Sequence, residues 1–172
     1  MPPLNNIAID YLANHREVAR ELARFSYDEW RSIYNQRGQT FADVVSTYNE
    51  RANIDSLPLA LVGFQSEQLV GTVSLKARDL DIRAELTPWL GGLFVIPTWR
   101  RLGVASMLID RALEEAKRLK LKRLYLWTVS AQSLYRKLGW SAVERCEYCG
   151  QHIVIMQREV GGRKLEVRGL YT

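Results

Sequence analysis

The sequence has few cysteines and no long apolar segment, and each absence narrows the class of protein. Only two cysteines occur, Cys146 and Cys149, which excludes a disulfide framework and favours a reducing compartment. No segment approaches the roughly 20 apolar residues that a membrane-spanning helix needs. The opening "MPPLNNIAID" lacks the basic-then-apolar order of a signal peptide. We therefore expect a soluble cytoplasmic protein with no membrane partner.

The remaining composition is that of an ordinary globular protein. Of 172 residues, 47% are hydrophobic and 25% charged, which suits one domain with a sizeable core. We place this domain at residues 1–160 and treat the basic, glycine-punctuated residues 161–172 as a tail: an extra strand, a partner contact or a mobile end. The net charge of +5 and pI near 9.4 favour an anionic partner, but do not distinguish nucleic acid, membrane and phosphorylated small molecules.

The first third of the chain is predicted to be mostly helical. Residues 5–12 indicate a short first strand, and residues 14–36 place apolar side chains at helical intervals, with a break near Ser26. After this segment, Thr40 is a candidate N-cap for a second helix. These elements precede the segments in which strands dominate.

Strands and helices alternate in the remainder. The predicted elements are strands at 58–64, 69–77, 89–96 and 123–129, helices at 101–119 and 130–138, and a closing hairpin from "WSAVERCEY" to "HIVIMQREV". The strand at 89–96, the helix after it and the strand at 123–129 form a βαβ unit, whose crossover should be right-handed and whose strands should be parallel. The pattern indicates an α/β (α+β) fold with a mixed sheet.

The segment "VIPTWRRLGVAS" at residues 95–106 has the features of an anion site. It brings residues 101–106 to a helix N-terminus, where backbone N–H groups lack partners within the helix and the helix dipole adds positive charge. Gly103 has no Cβ, so a phosphate can approach the backbone, and Arg100 and Arg101 can neutralise it. The glycine spacing matches neither a P-loop nor a dinucleotide fingerprint.

Two segments resemble the GNAT superfamily of N-acetyltransferases. Arg100, Gly103 and Ala105, with "V-x-P" before them, are similar to its acetyl-CoA signature, and "AQSLYRKLGW" at 131–140 is similar to its "A-x-x-L-Y-x-K-x-G-F" helix. The resemblance extends from about Leu57 to Val160. It implies a single-domain mixed, twisted sheet of about six to seven strands flanked by helices, with a central βαβ unit for acetyl-CoA between parallel strands that splay apart.

The same resemblance implies a binding mode for acetyl-CoA as cosubstrate. Pantetheine would pair with the backbone of the first parallel strand, the pyrophosphate would lie on the helix N-terminus, and Tyr135 would be the general acid that protonates the departing thiolate. The cofactor-binding residues so implied are Leu93, Phe94, Val95, Arg100, Arg101, Leu102, Gly103, Val104, Ala105, Ser106 and Thr128. Thr128 stands where many family members have asparagine, which puts that one contact in doubt.

Residues that would serve the acceptor amine come from the loop "ARDLDIRAELTP". Glu85 is our first choice as base or water-positioning group, although another acid or an ordered water would also serve. Asp79 and Asp81 would attract a cationic substrate, unless the loop is simply exposed. Trp89 walls the acceptor pocket or packs in the core, and we assign it to the pocket. Gly91 and Gly92 indicate either a strand bulge or close packing.

A metal site is the main alternative chemistry, because Cys146, Cys149 and His152 imitate a zinc knuckle. A structural zinc takes four ligands, and the other histidine, His15, lies in a distant segment. A thioredoxin-like motif belongs at a helix N-terminus rather than at a hairpin turn. We therefore predict no metal and two thiols near a tight turn.

The sequence thus predicts an acetyl-CoA-dependent N-acetyltransferase that forms a ternary complex and acetylates a primary amine, either a small molecule or a peptide N-terminus. The alternative is a catalytically inactive acyl-CoA-binding module with a protein or nucleic-acid partner. Nucleic acid is the less favoured partner. The acceptor amine stays open, and so does the choice between a monomer and a homodimer.

Overall fold

One seven-stranded mixed sheet organises residues 6–161, the part of the chain that this computed structural model describes. Its strands lie in the order β1-β2-β3-β4-β5-β7-β6. The strands are β1 (Ile7–Tyr11), β2 (Leu59–Gln65), β3 (Gln68–Lys76), β4 (Trp89–Val95), β5 (Arg123–Thr128), β6 (Ser141–Tyr148) and β7 (Gln151–Glu159). The helices are α1 (Ala19–Glu29), α2 (Arg31–Gln36), α3 (Phe41–Glu50), α4 (Val104–Arg118) and α5 (Gln132–Lys137). This is the single-domain mixed sheet that the sequence predicts.

The two parallel strands at the centre of the sheet touch only at their start. The β4–β5 ladder has a single register pair, Trp89 with Tyr125, whereas every neighbouring pair of strands is antiparallel. Beyond that pair β4 and β5 separate, so the facing edges of both strands are left without each other as hydrogen-bond partners. The predicted splay of the parallel strands is confirmed.

Helices cover both faces of the sheet, and two of the three clusters of buried apolar residues lie beneath α4 and beneath α1 and α3. On one face, α4 packs through Leu108, Ile109 and Ala112 against apolar residues of the central strands. On the other, α1 and α3 pack through Leu22 and Tyr48 over the alternate side chains of β2. The first third of the chain therefore forms a layer over the face opposite α4.

A local capping rule accounts for the start of α3. Thr40 caps α3 as predicted, and its hydroxyl and the Asp43 carboxylate form a reciprocal capping box. The predicted break near Ser26 is wrong, because Ser26 lies inside α1, fully buried and hydrogen-bonded to the Tyr48 hydroxyl. The helix instead ends at Trp30, from which α2 begins.

Four further expectations concern the cysteines, a metal, a membrane-spanning helix and the C-terminal tail. Cys149 and Gly150 both have positive φ in the turn between β6 and β7, and both cysteines are free thiols. Among residues 6–161 no group of metal-ligating side chains could hold an ion. No helix in the same range has the length and apolar character to cross a bilayer. The predicted tail at 161–172 lies, after Gly161, outside the described residues.

Candidate active site

A cavity of about 560 Å³ opens where β4 and β5 diverge. Its lining from the strands and α5 includes Leu90, Gly91, Gly92, Leu93, Leu126, Trp127, Thr128, Ala131, Leu134 and Tyr135. Its lining from the first third of the chain and from β3 with the segment after it includes Glu29, Trp30, Ile33, Tyr34, Arg37, Arg51, Lys76, Arg78 and Asp79. We call this second set the helical wall. A cavity of this volume is the size that small-molecule sites have.

Strand β4 bulges where it borders the cavity. Thr72 of β3 pairs with Phe94 and Ser74 pairs with Gly91, so two residues of β4 oppose one of β3. Gly92 adopts φ +59° within this bulge, a conformation that favours glycine. The predicted bulge is confirmed, and it turns the backbone of β4 towards the cavity.

Close packing, the other explanation of the two glycines, holds at Gly91. A Cβ at Gly91 would lie 2.8 Å from Asp79 Oδ2 and 2.8 Å from Lys76 Cε. The space that a side chain on this part of β4 would fill is therefore occupied by Lys76 and Asp79. These two residues come from the end of β3 and the segment after it, and they bring charge to a strand that has none of its own.

The start of α4 keeps the features predicted for an anion site. Gly103 is the N-cap in a left-handed conformation at φ +85°, and no atom lies within 4 Å of where its Cβ would be. Arg101, also left-handed at φ +60°, is exposed. The helix therefore starts at Val104 rather than at the predicted residue 101. Gly103 therefore leaves space at the start of α4, where the first N–H groups have no partner within the helix, an arrangement that fits a diphosphate.

Arg100 has a second role that the motif alone does not show. Its Nε donates to the carbonyl oxygen of Val95 at 2.8 Å, and its guanidinium lies 5.3 Å from the ring centroid of Phe94. It also lies 3.7 Å from Glu29, a residue of the helical wall. Arg100 thus holds the end of β4 against α1.

Tyr135 reaches the cavity from α5. Only 7% of the residue is exposed, and its ring packs edge-on against Trp140 with centroids 6.1 Å apart. Burial raises the pKa of Tyr135 to about 12. The phenol is therefore protonated at neutral pH, which is the form that a proton donor needs.

Thr128, the residue in place of the family's asparagine, is tied to the backbone. Its hydroxyl oxygen accepts a hydrogen bond from the N–H of Ala131 at 3.0 Å, just before α5. A hydroxyl that accepts one bond can still donate another. Thr128 also lines the cavity.

Three residues that the sequence predicts for the acceptor amine do not line the cavity. Glu85 and Asp81 are exposed and do not line the cavity; residues 81–83 form a 3-10 turn in this segment. Trp89 is fully buried, and its Nε1 donates to the Leu86 carbonyl oxygen at 2.6 Å. Its assignment to the pocket is wrong, since its side chain belongs to the core.

Asp79 stays at the cavity, but it is not a free carboxylate. It forms an ion pair with Lys76 at 2.5 Å and accepts a hydrogen bond from Trp127 Nε1 at 3.1 Å. Burial lowers the pKa of Lys76 to about 8, although the nearby Asp79 carboxylate opposes this shift. Arg37 donates to the backbone carbonyl of Asp79 at 3.1 Å, which fixes the segment.

Sequence reasoning missed the charged residues of the helical wall other than Asp79. Arg51 follows α3 directly, Lys76 ends an apolar strand, and Glu29 and Arg37 lie at helix ends, where charged residues are ordinarily exposed. The sequence did contain one signal for such a residue. Lys76 is the single charged residue of a strand whose other residues are mostly buried, and it lies at the end of that strand. The remaining positions depend on how the first third of the chain folds over the sheet.

The chain belongs to the acetyltransferase (GNAT) family, whose sequence model matches residues 19–140. The predicted family resemblance is therefore confirmed, and it extends into the helical first third. In a comparison with curated proteins, none matches in sequence.

Solved structures of acetyltransferases share the fold at low sequence identity. An aminoglycoside 6'-N-acetyltransferase complexed with coenzyme A is 15% identical, with 91% of this chain and 98% of that chain covered and a TM-score of 0.70. The putative acetyltransferase yncA from Salmonella typhimurium, with its cofactor acetyl-CoA, is 18% identical, with 92% and 96% covered and a TM-score of 0.69. A chimera of spermidine N-acetyltransferase SpeG from Vibrio cholerae and hSSAT is 20% identical, with 91% and 96% covered and a TM-score of 0.68.

Proposed function

We propose that the protein transfers the acetyl group of acetyl-CoA directly to a primary amine in a ternary complex. The observation that carries this proposal is the cavity between the diverging strands, which Tyr135 reaches from α5 and charged residues reach from the helical wall. The coenzyme A and acetyl-CoA in two of the similar structures support the choice of cosubstrate. The acceptor is a small molecule or a peptide N-terminus.

Acetyl-CoA would be held by backbone rather than by many side chains. The first N–H groups of α4 would bind its diphosphate with help from Arg101, and the unpaired edge of β4 at Leu93 to Val95 would pair with its pantetheine arm. When bound, it supplies an acetyl group activated as a thioester. The bulge at Gly92 would direct a backbone N–H at the acetyl oxygen, where negative charge develops.

Tyr135 is the proposed proton donor to the thiolate. Tyr135 is the residue of α5 whose hydroxyl group can serve as a proton donor at the cavity. Burial keeps this hydroxyl protonated, with a pKa of about 12. A free thiol has a pKa of about 8.5, below that of this phenol, so Tyr135 stabilises the departing thiolate chiefly by donating a hydrogen bond to it. Tyr135 therefore acts only once the sulfur has gained charge.

Asp79 replaces Glu85 as the proposed base. It is the carboxylate that lies over Gly91 of β4, and Lys76 at 2.5 Å balances its charge. A lysine-like amine has a pKa of about 10.4, so the acceptor must lose a proton before it attacks. Asp79 would take this proton directly or through one water.

The test measures thiol release from acetyl-CoA across a panel of primary amines. Wild-type protein is expected to turn over at least one amine, and Tyr135→Phe is expected to lower kcat about 100-fold, the lower end for general acid catalysis. Coenzyme A should stabilise both proteins equally against heat, because the phenol is not part of the diphosphate site. Tyr125→Phe is the control, since Tyr125 lies on β5 outside the cavity lining.

The alternative, an inactive acyl-CoA-binding module, gives a different result. It predicts stabilisation by coenzyme A with no turnover of any amine and no effect of Tyr135→Phe. The ion pair and the buried phenol at the cavity favour the enzyme, because a module that only binds has no need of a proton donor beside the thioester.

A further inference from the structure

The helical wall carries more positive than negative charge. Four cations line it, Arg37, Arg51, Lys76 and Arg78, against two carboxylates, Glu29 and Asp79. Lys76 already neutralises Asp79 at 2.5 Å. An acceptor that carries several positive charges would therefore meet net repulsion at this wall.

Arg51 is the buried arginine of this wall, whereas Arg37 is half-buried and Arg78 is exposed. Only 6% of the residue is exposed, and its Nη1 donates to the neutral Ser74 hydroxyl at 3.2 Å. Its guanidinium lies 4.7 Å from the Tyr48 ring centroid, while its Nε is buried without a hydrogen-bond partner. None of the carboxylates in residues 6–161 forms an ion pair with it.

A buried guanidinium in this state is costly to keep. Charged groups withdrawn from water are ordinarily paired and fully hydrogen-bonded. Replacing Arg51 by an apolar residue would remove that cost, and the aromatic and apolar surroundings in the core beneath α3 would accept one. An anion that completes the hydrogen bonds of Arg51 during function gives a reason to retain it.

The position of Arg51 places such an anion beside the reaction. Its Nη1 lies 3.0 Å from where a Cβ on Gly92 would be, so the guanidinium packs against the bulge of β4. This bulge borders the cavity that also contains Tyr135 and Asp79. A group bound by Arg51 is thus held next to the strand that would bind the thioester.

We propose that the acceptor is a primary amine that also bears a carboxylate, and that Arg51 binds this carboxylate and determines specificity. The inference rests on the proposed function and names its substrate class. Arg51 presents the planar, forked donor set that suits a carboxylate. Two sources share this chemistry: a free amino acid, through its α-carboxylate, and a peptide whose N-terminal residue is acidic.

The experiment compares matched amines that differ only in the anionic group. One pair is an amino acid and its amide; the other is a peptide amide beginning with Asp and the same peptide beginning with Asn. The carboxylate-bearing member of at least one pair is expected to have a kcat/KM about 10- to 100-fold higher, the range for a hydrogen bond to a charged group. The pair that responds identifies the source. Equal rates in both pairs, or a preference for spermidine, would overturn the proposal.

Arg51 variants assign the preference to this side chain. Arg51→Met should abolish the difference within the responding pair, and Arg51→Lys should retain part of it, while the KM for acetyl-CoA stays unchanged in both. Arg20→Gln is the control, because Arg20 is exposed on α1 outside the cavity lining. If Arg51→Met does not fold, the kcat/KM ratios of the paired amines, measured with Arg51→Lys and with wild-type protein, decide whether Arg51 determines the preference. An equal loss for all amines in Arg51→Met would contradict a role in specificity.

A binding measurement separates this inference from the proposed function. In the presence of coenzyme A, the N-acetyl product that bears the carboxylate should raise the melting temperature of wild-type protein more than its amide does. If the carboxylate-bearing product stabilises the protein more than its amide does, but no amine is turned over, only the enzymatic proposal is overturned. Turnover of amines without the preference would overturn only the role of Arg51.

Discussion

At the scale of single residues, burial decides which charged and acidic groups are useful to the proposed reaction. Burial raises the pKa of Tyr135 to about 12, so the phenol carries its proton at any pH at which the enzyme would work. Burial also lowers the pKa of Lys76 to about 8, and at neutral pH this lysine is still mostly charged beside Asp79. The pair thus brings a carboxylate close to β4 without adding net negative charge.

The first prediction at this scale separates Asp79 from Glu85. Asp79→Asn should lower kcat about 100-fold, because the acceptor amine would lose the group that takes its proton. Glu85→Gln removes the same charge from the same loop, but at an exposed position outside the cavity, and should change kcat less than twofold. Steady-state kinetics with a single amine measures both.

Two results would revise this assignment. A large loss in Glu85→Gln would return the role of base to the residue that the sequence favoured. An Asp79→Asn variant that retains full kcat would leave an ordered water as the acceptor of the proton. Thermal denaturation of Asp79→Asn is the necessary control, since the substitution leaves Lys76 buried without its ion-pair partner.

The same scale shows why some site residues were predictable and others were not. Tyr135 and the residues at the start of α4 belong to short motifs whose roles depend on local geometry. Glu85 and Trp89 were chosen for their proximity in sequence to β4, but Glu85 is exposed outside the cavity lining and the Trp89 side chain is buried in the core. Arg51 follows an amphipathic helix, a place that ordinarily indicates exposure, and only tertiary packing buries it.

At the scale of elements, the boundary between β4 and α4 depends on two left-handed residues. Arg101 and Gly103 have φ of +60° and +85°, and together they turn the chain so that α4 starts at Val104. The sequence predicts a helix in this place but not its first residue, because an amphipathic pattern does not report backbone conformation. The sequence assigns Gly103 to the anion site because glycine lacks a Cβ. Its left-handed φ of +85° is a second reason for a glycine at this position.

A substitution at Gly103 tests this element. An alanine methyl meets no atom within 4 Å, so Gly103→Ala should fold. A left-handed alanine costs roughly 1–2 kcal/mol, and relief of that strain would move the first N–H groups of α4. We expect the affinity for coenzyme A, measured by calorimetry, to fall about tenfold, the equivalent of about 1.4 kcal/mol.

Gly150→Ala provides the matched control. Gly150 has φ +73° and open space around its Cβ position, but it lies in the turn between β6 and β7. Gly150→Ala should therefore lose similar stability and bind coenzyme A as wild type does. Equal affinity in Gly103→Ala and wild type would contradict the diphosphate site at the start of α4.

Most element types followed from the sequence because local signals agreed with one another. The capping box at Thr40, the positive φ at Gly139 after α5 and the tight turn at Cys149 and Gly150 are all local features. The sheet order is not local. That β7 rather than β6 lies next to β5 depends on pairing between strands distant in sequence, although the apolar, buried run of β7 and the charged, mostly exposed β6 agree with this order.

At the scale of the whole molecule, the first third of the chain has two functions. Its helices cover one face of the sheet, and residues at and near their ends form the helical wall of the cavity together with Lys76, Arg78 and Asp79. The motifs that resemble the family lie in the other two thirds, so the sequence suggests residues for a cofactor site but not the residues of the helical wall. The acceptor site requires the packing of helices over a sheet that is distant in sequence.

One buried carboxylate connects these parts of the molecule. Glu115 of α4, with 4% exposed, accepts hydrogen bonds from Tyr11 of β1 at 2.9 Å and from Arg118 at 2.7 Å, and pairs with Arg111 at 3.1 Å. Arg118 in turn pairs with Asp55 at 2.8 Å, in the segment between α3 and β2. Burial alone would raise the pKa of Glu115, but these hydrogen bonds outweigh it and the pKa is lowered.

This arrangement predicts how stability depends on pH. Because the folded-state pKa of Glu115 lies below its ordinary value of 4.5, the unfolded chain binds more protons in acid. The contribution of Glu115 is therefore fully present above about pH 4.5 and is lost as the pH falls through the folded-state value. Glu115→Gln should lower the free energy of unfolding at neutral pH by roughly 1–3 kcal/mol, and below about pH 4.5 its stability should fall less steeply than that of wild type.

Urea denaturation at several pH values measures this difference. Glu114→Gln is the matched control, because its side chain is 75% exposed and lies 4.0 Å from Arg111. That substitution should change stability by less than about 0.5 kcal/mol at any pH. If Glu115→Gln and wild type lose stability in parallel below about pH 4.5, then Glu115 is not the carboxylate that couples the fold to acid, and other carboxylates with lowered pKa, such as Asp10, take that role.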